Sequence, residues 1–290
     1  MKKYFSIILF TAAVGFTGCL KDNKTNLTPN NSPAVIEWST AVTGDAPVSP
    51  SGSTFPLYLR SLEINPSVDL TFEVNYTGGE AAPEDITVNF GLDNTALTQY
   101  NQERLDRDHE TVNLEPMPTS WYSIEGTSVV IKKGERKGVI KGKVNTTNIT
   151  DFNKQYVVAL KITSVSRGTI SGNYGTILMQ IGAKNPYDGT YTHTYTSSLG
   201  NGTNTLDLVT TGANTVALDP GLLGVYSNAQ TLTIDPATNN VTVSMSSLLP
   251  IGNTGPSTWD PATKTFHVKW TSNGGARTFD ETYVFKSPRN

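Results

Sequence analysis

The chain has few of the side chains on which several common kinds of site depend. Of its 290 residues, one is a cysteine and three are histidines. A single cysteine cannot form a disulfide within the chain, so stability has to come from packed apolar side chains. The histidines, His109, His193 and His267, lie in three separate segments, and their spacing indicates no zinc site. We therefore predict no metal and no cofactor.

Charge is also scarce, and neither sign dominates. Charged residues make up 16% of the chain, and the formal net charge is −3. A nucleic-acid partner requires clustered basic side chains that neutralise phosphates. The local basic excess, Lys132-Lys133 with Arg136-Lys137, surrounds a turn at Gly134 and is typical of a solvated hairpin. We predict no nucleic-acid partner.

Long apolar runs are missing except near the start of the chain. Met1-Lys2-Lys3 precedes the apolar segment 4–16, which is too short to remain as a membrane-spanning helix. The segment Phe16-Thr17-Gly18-Cys19 then ends in small residues before the cysteine. This order is typical of a bacterial lipoprotein signal, so we predict that residues 1–18 are a removed signal peptide. Cys19 then becomes the acylated first residue and anchors the protein to the membrane.

The residues after Cys19 indicate where the protein is anchored. Leu20 stands where an aspartate would favour retention in the inner membrane, and Lys21-Asp22 resemble the charged export tag of surface lipoproteins. Residues 19–33 are mostly polar and cannot bury enough surface to fold, so they predict a flexible tether. We predict an outer-membrane lipoprotein that faces the cell exterior.

Residues 34–184 are dominated by the two-residue alternation of β-strands. In 68–77, Val68, Leu70, Phe72 and Val74 share one parity, as a strand with one wet face requires. Further strands are predicted at 55–62, 86–90, 128–131, 138–144, 156–165 and 176–181. One helix is predicted over 95–107, capped by Asp93 or Asn94. The pattern predicts an all-β domain, an immunoglobulin-like antiparallel β-sandwich with one short helix.

Residues 185–290 predict a second all-β domain built from consecutive hairpins. Asp235-Pro236-Ala237-Thr238 and Asp260-Pro261-Ala262-Thr263 repeat one turn chemistry, in which the aspartate bonds back to the backbone. Strands with alternating apolar residues flank each turn, and no long crossover separates them. We predict an antiparallel meander or a lipocalin-like barrel.

Several short segments together resemble a known family. They are Ala96-Leu97-Thr98-Gln99-Tyr100-Asn101, Leu114-Glu115-Pro116-Met117-Pro118, Trp121-Tyr122-Ser123-Ile124, Val129-Val130-Ile131, Tyr156-Val157-Val158-Ala159-Leu160 and Asn185-Pro186-Tyr187-Asp188-Gly189-Thr190-Tyr191. Their order over residues 34–190 resembles a Bacteroidota surface-lipoprotein family with an N-terminal domain of unknown function, DUF1735. The C-terminal half resembles lipocalin-like partner domains through Gly189-Thr190-Tyr191 and Arg277-Thr278-Phe279-Asp280-Glu281.

The resemblance implies glycan-related work at the cell surface, because members of that family are encoded beside polysaccharide-uptake systems. In some members the domain precedes a glycosidase, and no glycosidase domain follows in this sequence. The resemblance supplies no site residues that could be carried over to this chain.

The sequence contains no nucleophile elbow, zinc-protease pair, P-loop or dinucleotide fingerprint. The remaining enzymatic option is a carboxylate pair of the kind that glycoside hydrolysis requires. Asp280 and Glu281 cannot form it together, because adjacent strand residues point to opposite faces. A partner would have to come from Asp188, Asp207 or Asp260. We predict that the protein is not an enzyme.

The last strand carries two charges on an apolar face. Arg277, Phe279, Glu281, Tyr283 and Phe285 share one parity, and the two charged residues are about 13 Å apart along a strand, too far to pair. In one interpretation Arg277 and Glu281 bind sugar hydroxyls while Trp259 or Trp270 stacks on a pyranose ring. In the other, the charges form cross-strand ion pairs at the sheet rim and the tryptophans belong to the core.

Two further groups of aromatic residues allow a functional and a structural interpretation. Trp121 and Tyr122 follow a proline-bearing loop and offer a second stacking platform, or else they fasten that loop to the sandwich. His193 shares a strand face with Tyr191 and Tyr195, which is more typical of a core histidine than of a ligand.

The sequence thus predicts a surface lipoprotein that binds an oligo- or polysaccharide noncovalently and assists polysaccharide capture and uptake. Its candidate glycan-binding residues are Trp121, Tyr122, Trp259, Trp270, Arg277 and Glu281. Two alternatives remain. In the first, the protein has no sugar specificity and serves as a structural or adhesive spacer, or as an accessory of an outer-membrane glycan transporter complex. In the second, it is a degenerate carbohydrate-active enzyme.

Overall fold

The computed structural model describes residues 34–39 and 46–289. The predicted signal peptide, the acylation site Cys19 and the tether lie outside these residues. Within the described residues, no helix has the length and apolar character needed to cross a membrane.

Two sheets and one helix are formed by the first part of the chain, up to residue 184. The elements in chain order are β1 Val35–Ser39, β2 Leu57–Glu63, β3 Val68–Tyr76, β4 Ile86–Leu92, α1 Asn94–Asp108, β5 Glu115–Pro116, β6 Tyr122–Ile124, β7 Ser128–Ile131, β8 Lys137–Val144, β9 Tyr156–Val165, β10 Thr169–Ile170 and β11 Thr176–Lys184. One sheet has the order β10-β1-β3-β8-β6, and the other has the order β2-β11-β9-β4-β7 with β5 beside β9.

The two sheets pack face to face as the predicted sandwich. Their common core joins Trp38 and Phe72 of the first sheet to Phe90 of the second, with the Trp38 ring 5.8 Å from that of Phe90. Strand β9 is buried on both faces, because Val158 and Leu160 face this core while Val157 and Ala159 face the helix. This explains why its sequence is a continuous apolar run rather than an alternating one.

Helix α1 begins as the sequence predicts. The Asp93 side chain accepts a hydrogen bond from the Ala96 N–H at 3.2 Å and so caps the first turn. At the other end, His109 adopts a left-handed conformation with φ of 58°. The helix buries Leu97 and Tyr100 against the outer face of the second sheet.

The sandwich is not entirely antiparallel, which corrects part of the sequence prediction. Strand β1 pairs parallel with β10, β2 pairs parallel with β11, and β5 pairs parallel with β9. Strand alternation reveals which face of a strand is buried but carries no information about the direction of its neighbour. These partners are distant in sequence, so no hairpin turn specifies their pairing.

A third sheet is formed by the last part of the chain. Its strands are β12 Gly189–Ser197, β13 Gly200–Gly212, β14 Thr215–Asp219, β15 Gln230–Ile234, β16 Val241–Met245, β17 Gly252–Asn253, β18 Thr258–Asp260, β19 Thr265–Ser272 and β20 Arg277–Ser287. The order is β16-β15-β14-β13-β12-β20-β19-β17, with β18 also on β19. This confirms the predicted antiparallel meander.

The meander curls into a nearly closed barrel. The Val241 N–H at the start of β16 donates to the Ser257 carbonyl at 2.8 Å, and the Trp259 N–H of β18 donates to the Asn239 carbonyl at 2.9 Å. These bonds join the two ends of the sheet, so its inner face becomes an enclosed core. That core includes Tyr191, Phe266 and Trp270.

Candidate functional site

Strand β20 has the predicted alternation, and the closing of the barrel decides which parity is inside. Phe279 and Tyr283 are buried, and Glu281 between them is fully buried as well. The intervening Asp280 and Val284 are exposed. The two charged residues of the predicted site therefore have different environments: Glu281 lies in the core, and Arg277 is half-buried where the strand begins.

Neither of the two candidate tryptophans of the barrel presents a ring to solvent. Trp270 is fully buried and stacks on Phe279, with ring centroids 4.0 Å apart and planes inclined by 7°. Trp259 is 6% exposed and packs against Phe266 at 4.3 Å. Closure of the sheet turns these faces inward, so the proposed barrel-mouth stacking platform is corrected to a packed core.

Glu281 binds neutral donors inside this core. The Trp270 indole N–H donates to Oε1 at 2.9 Å, and the Tyr283 hydroxyl donates to Oε2. The ion-pair interpretation required Glu281 to lie at the sheet rim. The structure instead places its carboxylate in the core, with hydrogen-bond donors from Trp270 of β19 and Tyr283 of β20.

His193 completes this cluster, and its neighbours determine where its protons lie. The Asn204 amide N–H donates to the Leu223 carbonyl at 2.7 Å, so the Asn204 oxygen faces His193 Nδ1 at 3.2 Å. An amide oxygen only accepts, which makes Nδ1 the donor. The other ring nitrogen, Nε2, lies 3.2 Å from Glu281 Oε2.

The cluster of Trp270, Glu281, Tyr283 and His193 is structural in its present form. Burial raises the pKa of the Tyr283 hydroxyl well above its ordinary value, and the adjacent Glu281 carboxylate raises it further. A hydrogen bond with Gln230, which is also fully buried, lowers the pKa of Tyr283. All five side chains are enclosed, so a solute has no open path to them in this conformation.

Trp121 and Tyr122 are both half-buried, and both pack against the sandwich core. The Trp121 ring contacts that of Tyr156 edge-on, with centroids 5.0 Å apart, and packs against the sandwich core. Tyr122 is half-buried, and its side chain lines an open cleft. Of the six candidate residues, Tyr122 is thus an aromatic residue that lines an open cleft in the described part of the chain.

The cleft at Tyr122, which we call the Tyr122 cleft, has a volume of about 270 Å³. It lies where the chain passes from the first sheet to the second, and the Phe90 N–H fixes this turn by donating to the Thr127 carbonyl at 2.9 Å. Its walls combine an aromatic ring, the exposed aliphatic side chain of Leu92 and hydroxyl groups. The lining residues are Phe90, Gly91, Leu92, Thr119, Tyr122, Ser123, Ile124, Gly126, Thr127 and Leu160.

Electrostatically the Tyr122 cleft is neutral. None of its described lining residues carries a charge, and partial burial raises the pKa of the Tyr122 hydroxyl. The phenol therefore stays protonated at neutral pH. An aromatic ring with adjacent hydroxyl groups provides an apolar face and hydrogen-bonding partners for an uncharged polar ligand.

The arrangement needed for glycoside hydrolysis is not present in four clefts of the described residues. Four surface clefts have volumes of about 230 to 350 Å³, and each is lined by at most one carboxylate. No group of three or more potential metal ligands occurs within the described ranges. Glycoside hydrolysis uses two carboxylates on either side of one bond.

The other walls of the Tyr122 cleft could not be identified from the sequence. Leu92 and Thr127 belong to segments that look like an ordinary strand end and an ordinary turn, and only the pairing of β4 with β7 brings them together. A leucine left exposed at the end of a strand is a weak signal by itself.

Comparisons with known proteins identify two domain families. No curated protein sequence matches the chain. Residues 51–169 match a family model described as an N-terminal domain, which confirms the family resemblance over that part of the chain. Residues 189–287 match a domain of unknown function, DUF7015, so the lipocalin-like assignment of this part stays a prediction.

Solved structures share the fold over most of the chain. A protein of unknown function from Bacteroides ovatus is 14% identical with a TM-score of 0.54, and the match covers 88% of this chain and 95% of that one. A second protein of unknown function from the same organism is 13% identical with a TM-score of 0.51, covering 87% and 93%. A multidomain protein including DUF1735, also from Bacteroides ovatus, is 12% identical with a TM-score of 0.49, covering 87% and 92%. The first two similarities show the fold alone.

Proposed function

We propose that this chain, whose residues 51–169 and 189–287 match models of two domain families, is a surface lipoprotein that binds glycans noncovalently. In this role it assists the capture of polysaccharides for uptake. The proposal is supported by the family resemblance of residues 34–190 and by the chemistry of the Tyr122 cleft.

The main observation that supports glycan binding is that the half-buried Tyr122 lines an uncharged cleft together with hydroxyl-bearing residues. A pyranose presents an apolar C–H face and a rim of hydroxyl groups, which match an aromatic ring in a cleft that Thr119 and Thr127 also line. The cleft is slightly smaller than a typical small-molecule pocket, so it suits a short stretch of a glycan chain.

The location of the protein is also part of the proposal. Acylation of Cys19 would attach the chain to the outer membrane, with residues 19–33 as the tether and the folded part facing the exterior. Metabolic labelling with an alkyne fatty acid tests the anchor: we expect label on the wild-type protein and none on a Cys19→Ala variant. Equal labelling of both proteins would contradict acylation at this residue.

A structural or transporter-accessory role is the second candidate, and burial of the barrel tryptophans favours it. A spacer hides its large aromatic side chains, as the chain does with Trp259 and Trp270. This candidate predicts that no polysaccharide binds and that the binding partners are proteins.

Binding of the purified full-length protein to a panel of polysaccharides separates these functions. We expect at least one glycan to bind, and we expect Tyr122→Ala to weaken that binding about tenfold or more, as removal of an aromatic contact does at other interfaces. Tyr226→Ala is the matched control, because Tyr226 is 43% exposed and lies in a loop of the barrel. No binding across the panel, or equal binding by wild type and Tyr122→Ala, would overturn the proposal as assigned to this cleft.

A further inference from the structure

The barrel carries a second cleft, which we call the Asp280 cleft, on the outer side of its wall. It has a volume of about 350 Å³ and lies over the neighbouring strands β12, β20 and β19. Hydroxyl groups dominate its lining and come from Thr196, Ser197, Ser198, Thr254 and Thr278. The Phe279 ring beneath them is 2% exposed, so this cleft offers no stacking face.

One ion pair lies in the Asp280 cleft. Lys269 and Asp280 are direct cross-strand partners, and Lys269 Nζ is 3.0 Å from Asp280 Oδ2. Their side chains are 50% and 55% exposed, so both charges can still be reached from solvent. No other charged residue lines the described part of the cleft, and its two charges cancel.

The surrounding hydroxyl groups are held in place by the backbone. The Thr278 N–H donates to Ser198 Oγ at 3.0 Å, and the Ser198 N–H donates to the Thr278 carbonyl at 3.0 Å. The Ser197 hydroxyl donates to the Gly200 carbonyl at 2.8 Å. These bonds fasten the hairpin between β12 and β13 beside the ion pair, so the site is largely preformed.

We propose that the Asp280 cleft is a second glycan contact, which recognises neutral sugars with adjacent unsubstituted hydroxyl groups. The Asp280 carboxylate has two oxygens that accept hydrogen bonds from a pair of neighbouring hydroxyls, while the Lys269 ammonium donates to a sugar oxygen. Thr196 and Thr254 also line the cleft, and a threonine hydroxyl both donates and accepts, as sugar hydroxyls do. This assignment rests on the proposed function and adds a ligand class to it.

The charges of the cleft argue for a neutral glycan over an acidic one. An acidic sugar would place its carboxylate near Asp280, and this repulsion offsets the attraction to Lys269. A neutral diol engages both side chains without such a penalty. We therefore expect neutral hexose or pentose polymers to bind more tightly than polygalacturonate.

The inference can be tested by equilibrium binding of the full-length protein to neutral polymers, namely glucans, mannans, xylans and galactans. Polygalacturonate is the acidic comparison. We expect Asp280→Asn to weaken neutral-glycan binding about tenfold, because a charge-assisted acceptor is lost. A Lys269→Gln variant should weaken it as well. Asp85→Asn is the matched control, since Asp85 forms an exposed ion pair with Lys132 at 2.9 Å outside this cleft.

The outcomes separate this inference from the proposed function. If Tyr122→Ala weakens binding while Asp280→Asn and Lys269→Gln both bind like wild type, the second site is overturned and the proposed function stands. Tighter binding of polygalacturonate than of any neutral polymer would overturn the ligand class. If wild type binds nothing, both fail together. Circular dichroism of each variant establishes that the exposed substitutions leave the fold intact.

Discussion

The indole N–H of Trp270 donates a hydrogen bond of 2.9 Å to the Glu281 carboxylate, and both side chains are fully buried inside the barrel. The two residues lie on adjacent strands, β19 and β20, and face the same interior. This bond explains why a charged residue is accommodated on an apolar strand face. It also explains why Trp270 is unsuited to stacking on a sugar, because its nitrogen and its ring are both engaged in the core.

Replacement of Glu281 by glutamine should destabilise the barrel. The carboxylate accepts from Trp270 and Tyr283 and contacts His193, whereas an amide presents a donor to at least one of these neighbours. We expect the free energy of unfolding in urea to fall by about 3 kcal/mol, as when a buried charged group loses its partner. Glu84→Gln, at an exposed ion pair with Arg167, is the control and should change little. Equal unfolding midpoints for Glu281→Gln and wild type would contradict the structural role of the cluster.

Two buried tyrosines should make the protein sensitive to alkali. Burial raises the pKa of Tyr191 and of Tyr283, so the folded state holds these protons more tightly than the unfolded state does. The resulting stability is fully present below about pH 10, the ordinary pKa of tyrosine, and is lost as the pH rises above it. In an absorbance titration at the phenolate band, we expect these tyrosines to ionise only together with unfolding. Full ionisation of all tyrosines while the circular dichroism remains native would contradict the burial.

The two aspartate turns of the barrel should contribute to its stability in a pH-dependent way. The Thr238 hydroxyl at 2.7 Å lowers the pKa of Asp235, and the Thr263 hydroxyl at 2.7 Å lowers that of Asp260. Because the folded pKa values are depressed, this stability is present above about pH 4 and is lost as the pH falls through the folded values.

A double variant, Asp235→Asn with Asp260→Asn, tests this pH dependence. The difference in urea midpoint between wild type and the variant should be larger near neutral pH than at strongly acidic pH, where the wild-type carboxyls are themselves protonated. A difference that is the same at both pH values would show that the turn carboxylates contribute no pH-dependent stability.

Asn185 should be important for the attachment of the barrel strands to the segment that precedes them. Its buried amide donates to the Gly212 and Thr215 carbonyls at 2.9 and 3.0 Å, and its oxygen accepts from the Tyr187 N–H at 3.1 Å. Asn185→Ala leaves these backbone groups unsatisfied, and we expect a loss of about 2 kcal/mol in the free energy of unfolding. Asn201→Ala, at an exposed position of β13, is the control. A similar small effect of both substitutions would show that the three bonds are replaced by water.

Local pattern predicted the strand faces better than it predicted the site. The alternation of Val68 to Tyr76 gave the correct buried parity, and that of Arg277 to Phe285 correctly grouped the residues that share a face. The predicted cap was Asp93 or Asn94, and the structure shows Asp93. The closure of the barrel depends on bonds between β16 and β18, which no local pattern encodes. For that reason the sequence could not distinguish a core tryptophan from one at an open mouth.

The partners of the charged residues could not be predicted for a related reason. The sequence indicated that Arg277 and Glu281 do not pair, yet it gave no indication that a histidine from β12 and an indole from β19 meet Glu281. Polar contacts inside a barrel depend on strand order and register, and both are set by tertiary packing. The Tyr122 cleft likewise required the relative position of two sheets.

Stacking of the Tyr122 ring on a glycan can be tested by measuring the affinities of Tyr122→Phe and Tyr122→Ala for the best-binding polysaccharide. Phenylalanine keeps the ring and removes only the hydroxyl, whereas alanine removes the stacking face. We expect Tyr122→Phe to bind within about threefold of wild type and Tyr122→Ala to bind about tenfold or more weakly. Equal affinities for Tyr122→Ala and Tyr122→Phe would contradict it.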